Sequence, residues 1–196
     1  MIPEAHFSPA RAQRRKTLLA FVALLLALGA LGDSARQTLS YERDALAAGQ
    51  IWRVLSAHLV HLDARHLAMN VAAFLLLAAL YGRTLRMRDW FLAGLISAVA
   101  ISAGLYFFVP EVTGYVGLSG VLHGLWAAGA ISIARESRLE AALSLVALGA
   151  KLLLERRFGP LGGHLAGINV ILPAHGLGAL GGLAAALALR SAREPL

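Results

Sequence analysis

Charged side chains along this chain gather in short clusters, and the stretches between them are almost wholly apolar. Six such stretches follow one another, over residues 17–32, 67–82, 90–109, 112–134, 139–154 and 158–189. A helix crossing the hydrocarbon core of a bilayer needs about 20 apolar residues. The third and fourth stretches meet that length. The first, second and fifth do so when flanking polar side chains reach back to the interface. The sixth is uncharged over 32 residues and holds Pro160 and Pro173 in its first half. It divides into a loop to about Asn169 and a helix from about Val170. The pattern predicts an all-α membrane protein, a bundle of six transmembrane helices forming a single domain over residues 1–196. The basic start and Leu-rich centre of the first stretch fit a signal peptide, yet no clean small-residue cleavage pattern follows Gly32. It is read as an uncleaved first helix.

Two connections stand out. Residues 33–65 form a long outer loop between helices one and two, containing Leu39, Tyr41, Leu46, Ile51, Trp52 and Leu55. Such content predicts a partly structured interfacial segment with Tyr41 and Trp52 at headgroup level. Residues 158–169 carry four glycines and a proline, which argues for a mobile loop.

Composition supports this picture: 58% of residues are hydrophobic, 15% are charged and none is cysteine. Those proportions exclude disorder and a disulfide scaffold and disfavour a soluble domain. The net charge of +7 is explained by topology. With the N-terminus inside, eleven Lys and Arg fall on the inner side and seven on the outer, as the positive-inside rule requires. Residues 1–16 and the tail 190–196 are then cytoplasmic. No basic–aromatic interleaving or zinc spacing supports a nucleic-acid partner, and no internal repeat supports a transporter. A small channel using histidines for protons is disfavoured by the lack of acids deep in the spans.

Polar residues within spans are costly and therefore candidates for function. Ser119 lies between small residues in Gly117-Leu118-Ser119-Gly120, where a helix start leaves backbone N–H groups free to hold a developing oxyanion. A Gly-Ser packing face is the alternative. His175 follows Pro173 and Ala174 and precedes Gly176, Gly178, Gly181 and Gly182. It is either a general base or a histidine bonded to a neighbouring helix. Both residues fall a few positions below the outer ends of helices that descend from outside, so they share a shallow depth. A third constellation, His58, His61, His66 and Asn70, opens helix two. His66 and Asn70 are four apart, hence on one helical face, and both can donate hydrogen bonds to an oxyanion. A shared metal is the rival reading, but Asp63 is the nearest acid and no H-E-x-x-H occurs. No metal or cofactor is expected. No Asp or Glu is placed well inside a span, so a Ser–His dyad without a carboxylate is what remains.

Taken together, Trp52-Arg53, His61, His66-x-x-x-Asn70, Gly117-Leu118-Ser119-Gly120 and Ala174-His175-x-x-Gly178-x-x-x-Gly182 resemble the rhomboid intramembrane serine proteases. The string Gly117–Gly124, with His123, and the compact length are most similar to the rhombosortase branch. The resemblance implies Ser119 as nucleophile and His175 as general base, then acid. It implies His66, Asn70 and the Ser119 N–H as the oxyanion hole, with Gly117, Gly120, Gly178, Trp52 and Arg53 in support. His61 would be a supporting outer residue, residues 158–169 a cap over the site, and helix five a gate. His123 has no assigned role. The implied partners are membrane-anchored protein substrates in a lipid bilayer, cleaved near the outer face. For a rhombosortase these carry C-terminal Gly-Gly-type anchor tails. The implied location is a bacterial inner membrane with the site towards the periplasm. A non-catalytic relative that binds transmembrane segments is the alternative, although such relatives usually lack the serine or the histidine.

Overall fold

The computed structural model describes residues 9–159 and 170–191. Six helices of fifteen residues or more occur among them: α1 (Pro9–Leu39), α4 (Ala64–Tyr81), α5 (Met87–Phe108), α6 (Ser119–Ile133), α7 (Arg138–Phe158) and α8 (Leu172–Ser191). Two short helices, α2 (Arg43–Ala47) and α3 (Arg53–Ser56), lie between α1 and α4. Four helices, α1, α4, α5 and α8, are long and apolar enough to cross a membrane. α6 is shorter, and α7 carries charges at both ends.

Local sequence accounts for the helix ends. The Asp63 side chain accepts from the His66 N–H (2.8 Å) and starts α4. Ser137 accepts from the Glu140 N–H (3.2 Å), a serine-to-glutamate cap that starts α7. Gly159, at φ 84°, ends it. α1 is two helices merged across a kink at Gly32, so it continues well past the apolar stretch that predicted it.

α6 is the central element. It packs against α4, α5, α7 and α8, and none of its residues is exposed. Exposed large apolar side chains belong to the other long helices instead: Leu24 and Leu31 on α1, Leu76 and Leu80 on α4, Phe107 and Phe108 on α5, Leu143 and Val146 on α7, Leu180 and Leu187 on α8. A helix wrapped by others needs no lipid-facing stripe, which fits the 15-residue length of α6.

Two expectations are corrected here. The uncharged stretch over 112–134 is not helical throughout. Its first part is extended, with β2 (Gly114–Tyr115) pairing antiparallel to β1 (Tyr41–Glu42), so that Tyr41 faces Tyr115. That pairing also buries Tyr41 completely, whereas a headgroup position was expected. Trp52 is half exposed, and its indole N–H donates to the Thr38 carbonyl (3.1 Å). The glycine-rich loop expected over 158–169 lies almost entirely outside the described residues; Phe158 itself is the last residue of α7.

Candidate active site

The end of the bundle that carries Ser119 is called the upper end below. The chain enters α6 there through Gly117, whose φ of 117° is closed to most other residues. The Gly117 N–H donates to the Ala57 carbonyl (3.0 Å), and the Gly117 carbonyl accepts from Tyr115 Oη–H (2.7 Å). A Cβ at this position would lie 2.6 Å from His66 Cε1, so the glycine also makes room for that imidazole. Ser119 is the first residue of α6. His175 lies in the first turn of α8. The two helices touch backbone to backbone, since a Cβ on Gly178 would overlap the Gly120 carbonyl and one on Gly120 would meet the Ala174 oxygen at 2.8 Å. This approach sets His175 Nε2 3.0 Å from Ser119 Oγ.

From there a chain of contacts returns to its starting residue. His175 Nδ1 is 2.8 Å from Glu155 Oε2, and Glu155 Oε1 is 2.6 Å from Lys151 Nζ. Lys151 Nζ is 3.0 Å from His123 Nε2, and His123 Nδ1 is 2.7 Å from the Ser119 carbonyl oxygen. The imidazoles of His123 and His175 stack, 4.1 Å between centroids and 17° between planes. A carbonyl only accepts, so the His123 proton sits on Nδ1 and its bare Nε2 accepts from the Lys151 ammonium. An ionised carboxylate likewise only accepts, so His175 carries its proton on Nδ1 and presents a bare Nε2 to the Ser119 hydroxyl. Lys151 donates twice, to Glu155 and to His123, and each imidazole donates once, through Nδ1.

Ser119 and His66 stand where two cavities meet. A cleft of about 570 Å³ runs down between α4 and α7, lined by Met69, Asn70, Leu76 and Leu80 on one side and Ser144, Lys151 and Glu155 on the other. At its lower end Tyr81 Oη is 2.6 Å from Ser144 Oγ, which also accepts from the Trp126 indole (2.9 Å). A second cavity of about 480 Å³ lies on the other side of Ser119, beneath Arg36, Tyr41 and Tyr115. Asn70 is buried, and its Nδ2 donates to the His66 carbonyl (3.1 Å). Its second N–H is the donor available to a group entering the cleft.

Residues 48–192 match the family model of the rhomboid domain. The chain belongs to the rhomboid family. A comparison with curated proteins finds no match. The rhomboids are serine proteases that act on membrane-embedded proteins within the bilayer, and several apolar helices together with this domain make the present rhomboid an integral multi-pass membrane protein.

In this rhomboid the expectation that no carboxylate reaches the serine–histidine pair is overturned. Glu155 falls just beyond the fifth apolar stretch, which ends at residue 154, but α7 extends to Phe158 and holds Glu155 inside, 3% exposed. The available signal was a helical face: Ala141, Ser144, Leu148, Lys151 and Glu155 recur at spacings of three and four. His123, to which the resemblance assigns no role, sits inside the same ring.

The other singled-out residues divide. His66 and Asn70 line the cleft. His58 faces α5, its Nε2–H donating to the Ala98 carbonyl (3.1 Å) with Ser102 Oγ at 3.2 Å. His61 is buried beside His66, with ring centroids 5.1 Å apart. Both His58 and His61 lie in the loop before α4, and burial pushes each imidazole down to about 4, holding it neutral at pH 7. Arg53 is buried and donates to Gln50 Oε1 (2.8 Å) and to the carbonyls of Ser40 (2.6 Å) and Gln37 (2.9 Å). It ties the end of α1 to the upper loop. The grouping with metal-ligand geometry among the described residues is His123, Glu155 and His175, their ligand atoms within 4.8 Å of one another. There the Lys151 ammonium already supplies a cation to Glu155 and His123.

Proposed function

We propose that this rhomboid is an active intramembrane serine protease with Ser119 as nucleophile and His175 as general base and acid. The observation that carries this reading is the 3.0 Å contact between Ser119 Oγ and a buried His175 Nε2 at the head of a cleft between α4 and α7. In this reading all six long helices span the bilayer, the upper end faces outwards, and in a bacterium that side is the periplasm. A substrate's transmembrane segment rests against the cleft and unwinds at the top, offering an extended peptide bond.

Ser119 Oγ attacks the carbonyl carbon while its proton passes to His175 Nε2, and the carbonyl oxygen becomes an oxyanion. His66, the second Asn70 N–H and the Ser119 backbone N–H are the donors for that oxygen. His175 returns the proton to the leaving amine as the C–N bond breaks, and water repeats the sequence on the acyl-enzyme. The resemblance to rhombosortases makes C-terminal Gly-Gly-type anchor tails the favoured substrates.

A fluorophosphonate probe tests the reading on the full chain in detergent. Labelling and cleavage of an anchored reporter are expected in the wild type and lost in Ser119→Ala and His175→Ala. Folded wild-type protein that binds a transmembrane segment without labelling or cleavage would make it a non-catalytic relative.

A further inference from the structure

The ring around Ser119 contains more than a dyad requires. Glu155 is 3% exposed and sits 2.8 Å from the only nitrogen of His175 that does not face the serine. A buried carboxylate is costly unless it is paired, and here both oxygens are used, one by His175 and one by Lys151. Lys151 in turn is held by His123, which is anchored to the Ser119 carbonyl and lies flat against His175.

We propose that Glu155, fixed by Lys151 and His123, is the third member of a Ser119–His175–Glu155 triad and positions His175 for catalysis. This rests on Ser119 and His175 being the catalytic pair. The carboxylate accepts the His175 Nδ1–H, which leaves the lone pair on Nε2 where the serine proton must go. When that proton arrives, the imidazolium is stabilised by Glu155, which stays ionised throughout and takes no proton itself. The Lys151 ammonium keeps the carboxylate compensated in the resting state. The stacked His123 ring closes the face of His175 and limits its rotation.

A positioning role differs from a packing role in what its loss does to the tautomer. Glu155→Gln keeps size and hydrogen-bonding capacity, but its amide N–H group can donate to Nδ1 and favour the proton on Nε2. The expected result is a fall of about 10²- to 10⁴-fold in the maximal rate of fluorophosphonate labelling. The half-saturating probe concentration and the thermal unfolding midpoint stay close to wild type.

If Glu155→Gln does not give folded protein, Glu155→Ala is measured with and without formate. Recovery of labelling with added formate supports the proposal, and folded Glu155→Ala that formate does not restore overturns it. A Glu155→Gln rate within about threefold of wild type also overturns it, provided Ser119→Ala and His175→Ala are inactive. Labelling that survives in Ser119→Ala instead overturns the underlying assignment of the pair, so the two failures are distinguishable.

Discussion

α8 meets α6 backbone to backbone, whereas α7 meets the same helix through side chains. On the α8 side, Gly178 lies on the Gly120 carbonyl and Gly182 on that of Gly124, with no room for a methyl group at either contact. On the α7 side the ties to α6 include Trp126 to Ser144 and Lys151 to His123, and Glu155 reaches beyond α6 to His175 on α8. The proposed nucleophile and base therefore ride on two elements whose separation cannot drift. The groups that orient the base ride on a helix bordering a cleft of about 570 Å³. Glycine contacts give close approach and rigidity; long polar side chains give a reach that tolerates movement. If, as proposed, this rhomboid cleaves a transmembrane segment entering from the cleft, it needs both, on different sides of α6. Gly178→Leu attacks the rigid wall and should have the largest effect, destabilising the protein by at least about 3 kcal/mol, because the neighbour is backbone and cannot yield. Gly149→Leu on α7, where an added Cβ meets nothing within 4 Å, should stay within about 0.5 kcal/mol of wild type. Thermal unfolding in detergent reads both, and equal destabilisation would erase the difference between the walls.

The α4 wall of the cleft differs again, because its polar residues face the space where a substrate carbonyl would develop charge. His66→Ala and Asn70→Ala should each lower turnover by about 10²- to 10³-fold, the usual cost of losing one oriented donor. Folding should persist, since the Asp63 cap to the His66 N–H does not use either side chain. Cleavage rates and unfolding curves for each variant check this. Loss of folded protein in both, with no purely kinetic phenotype, would make the pair a structural tie like the glycines opposite.

How much of this was readable beforehand depends on whether the cause was local. The positions of Ser119, His175, His66 and Asn70 near the upper ends of their helices follow from charge-free stretches and helix starts, which are local signals. Glu155 was hidden because Glu155, Arg156 and Arg157 together look like a boundary cluster, and only the tertiary contact with His175 turns the first of them inwards. The extended segment before α6 was hidden for a similar reason. An uncharged run over 112–134 does not separate helix from strand, and the partner strand lies about seventy residues earlier. The extension of α1 past Gly32 was hidden because the apolar run stops there while the helix goes on, after a kink, over mostly polar residues.

The loop above both walls sets a third contrast, one that pH can sharpen. His58 anchors this loop to α5 as a neutral imidazole whose pKa is lowered from 6.5 to about 4 by burial. The lowered value fixes the sign. Between pH 6.5 and 4 the unfolded chain takes up a proton that the folded one refuses, so the contribution is complete above pH 6.5 and is lost as pH falls towards 4. The shift corresponds to about 3 kcal/mol across that window. His58→Gln keeps a donor for the Ala98 carbonyl but does not titrate, so its unfolding midpoint should fall less steeply on acidification. Parallel curves for the two proteins would assign the acid sensitivity elsewhere.

The smallest effect is expected where the two walls of the cleft are joined directly. Tyr81 Oη on α4 and Ser144 Oγ on α7 lie 2.6 Å apart near the lower end, while in the proposed reading a substrate enters at the Ser119 end of the cleft. In that reading a tie at the lower end would act as a pivot, about which α7 would tilt away from α4 at the top without leaving the bundle. Tyr81→Phe removes the hydroxyl and keeps the ring that packs against Gly129. One neutral hydrogen bond contributes about 1 kcal/mol, so the unfolding midpoint should fall only slightly, with Ser144 still accepting from Trp126. Fluorophosphonate labelling should be unchanged, because the Ser119–His175–Glu155 contacts lie at the other end. Cleavage of a reporter anchored by a transmembrane segment should rise by a few-fold, since the wall opposite α4 is freer to move. A matching rise in labelling would mean the pivot acts on the catalytic residues themselves, and a drop in both would show that α7 needs this tie to hold Glu155 in place.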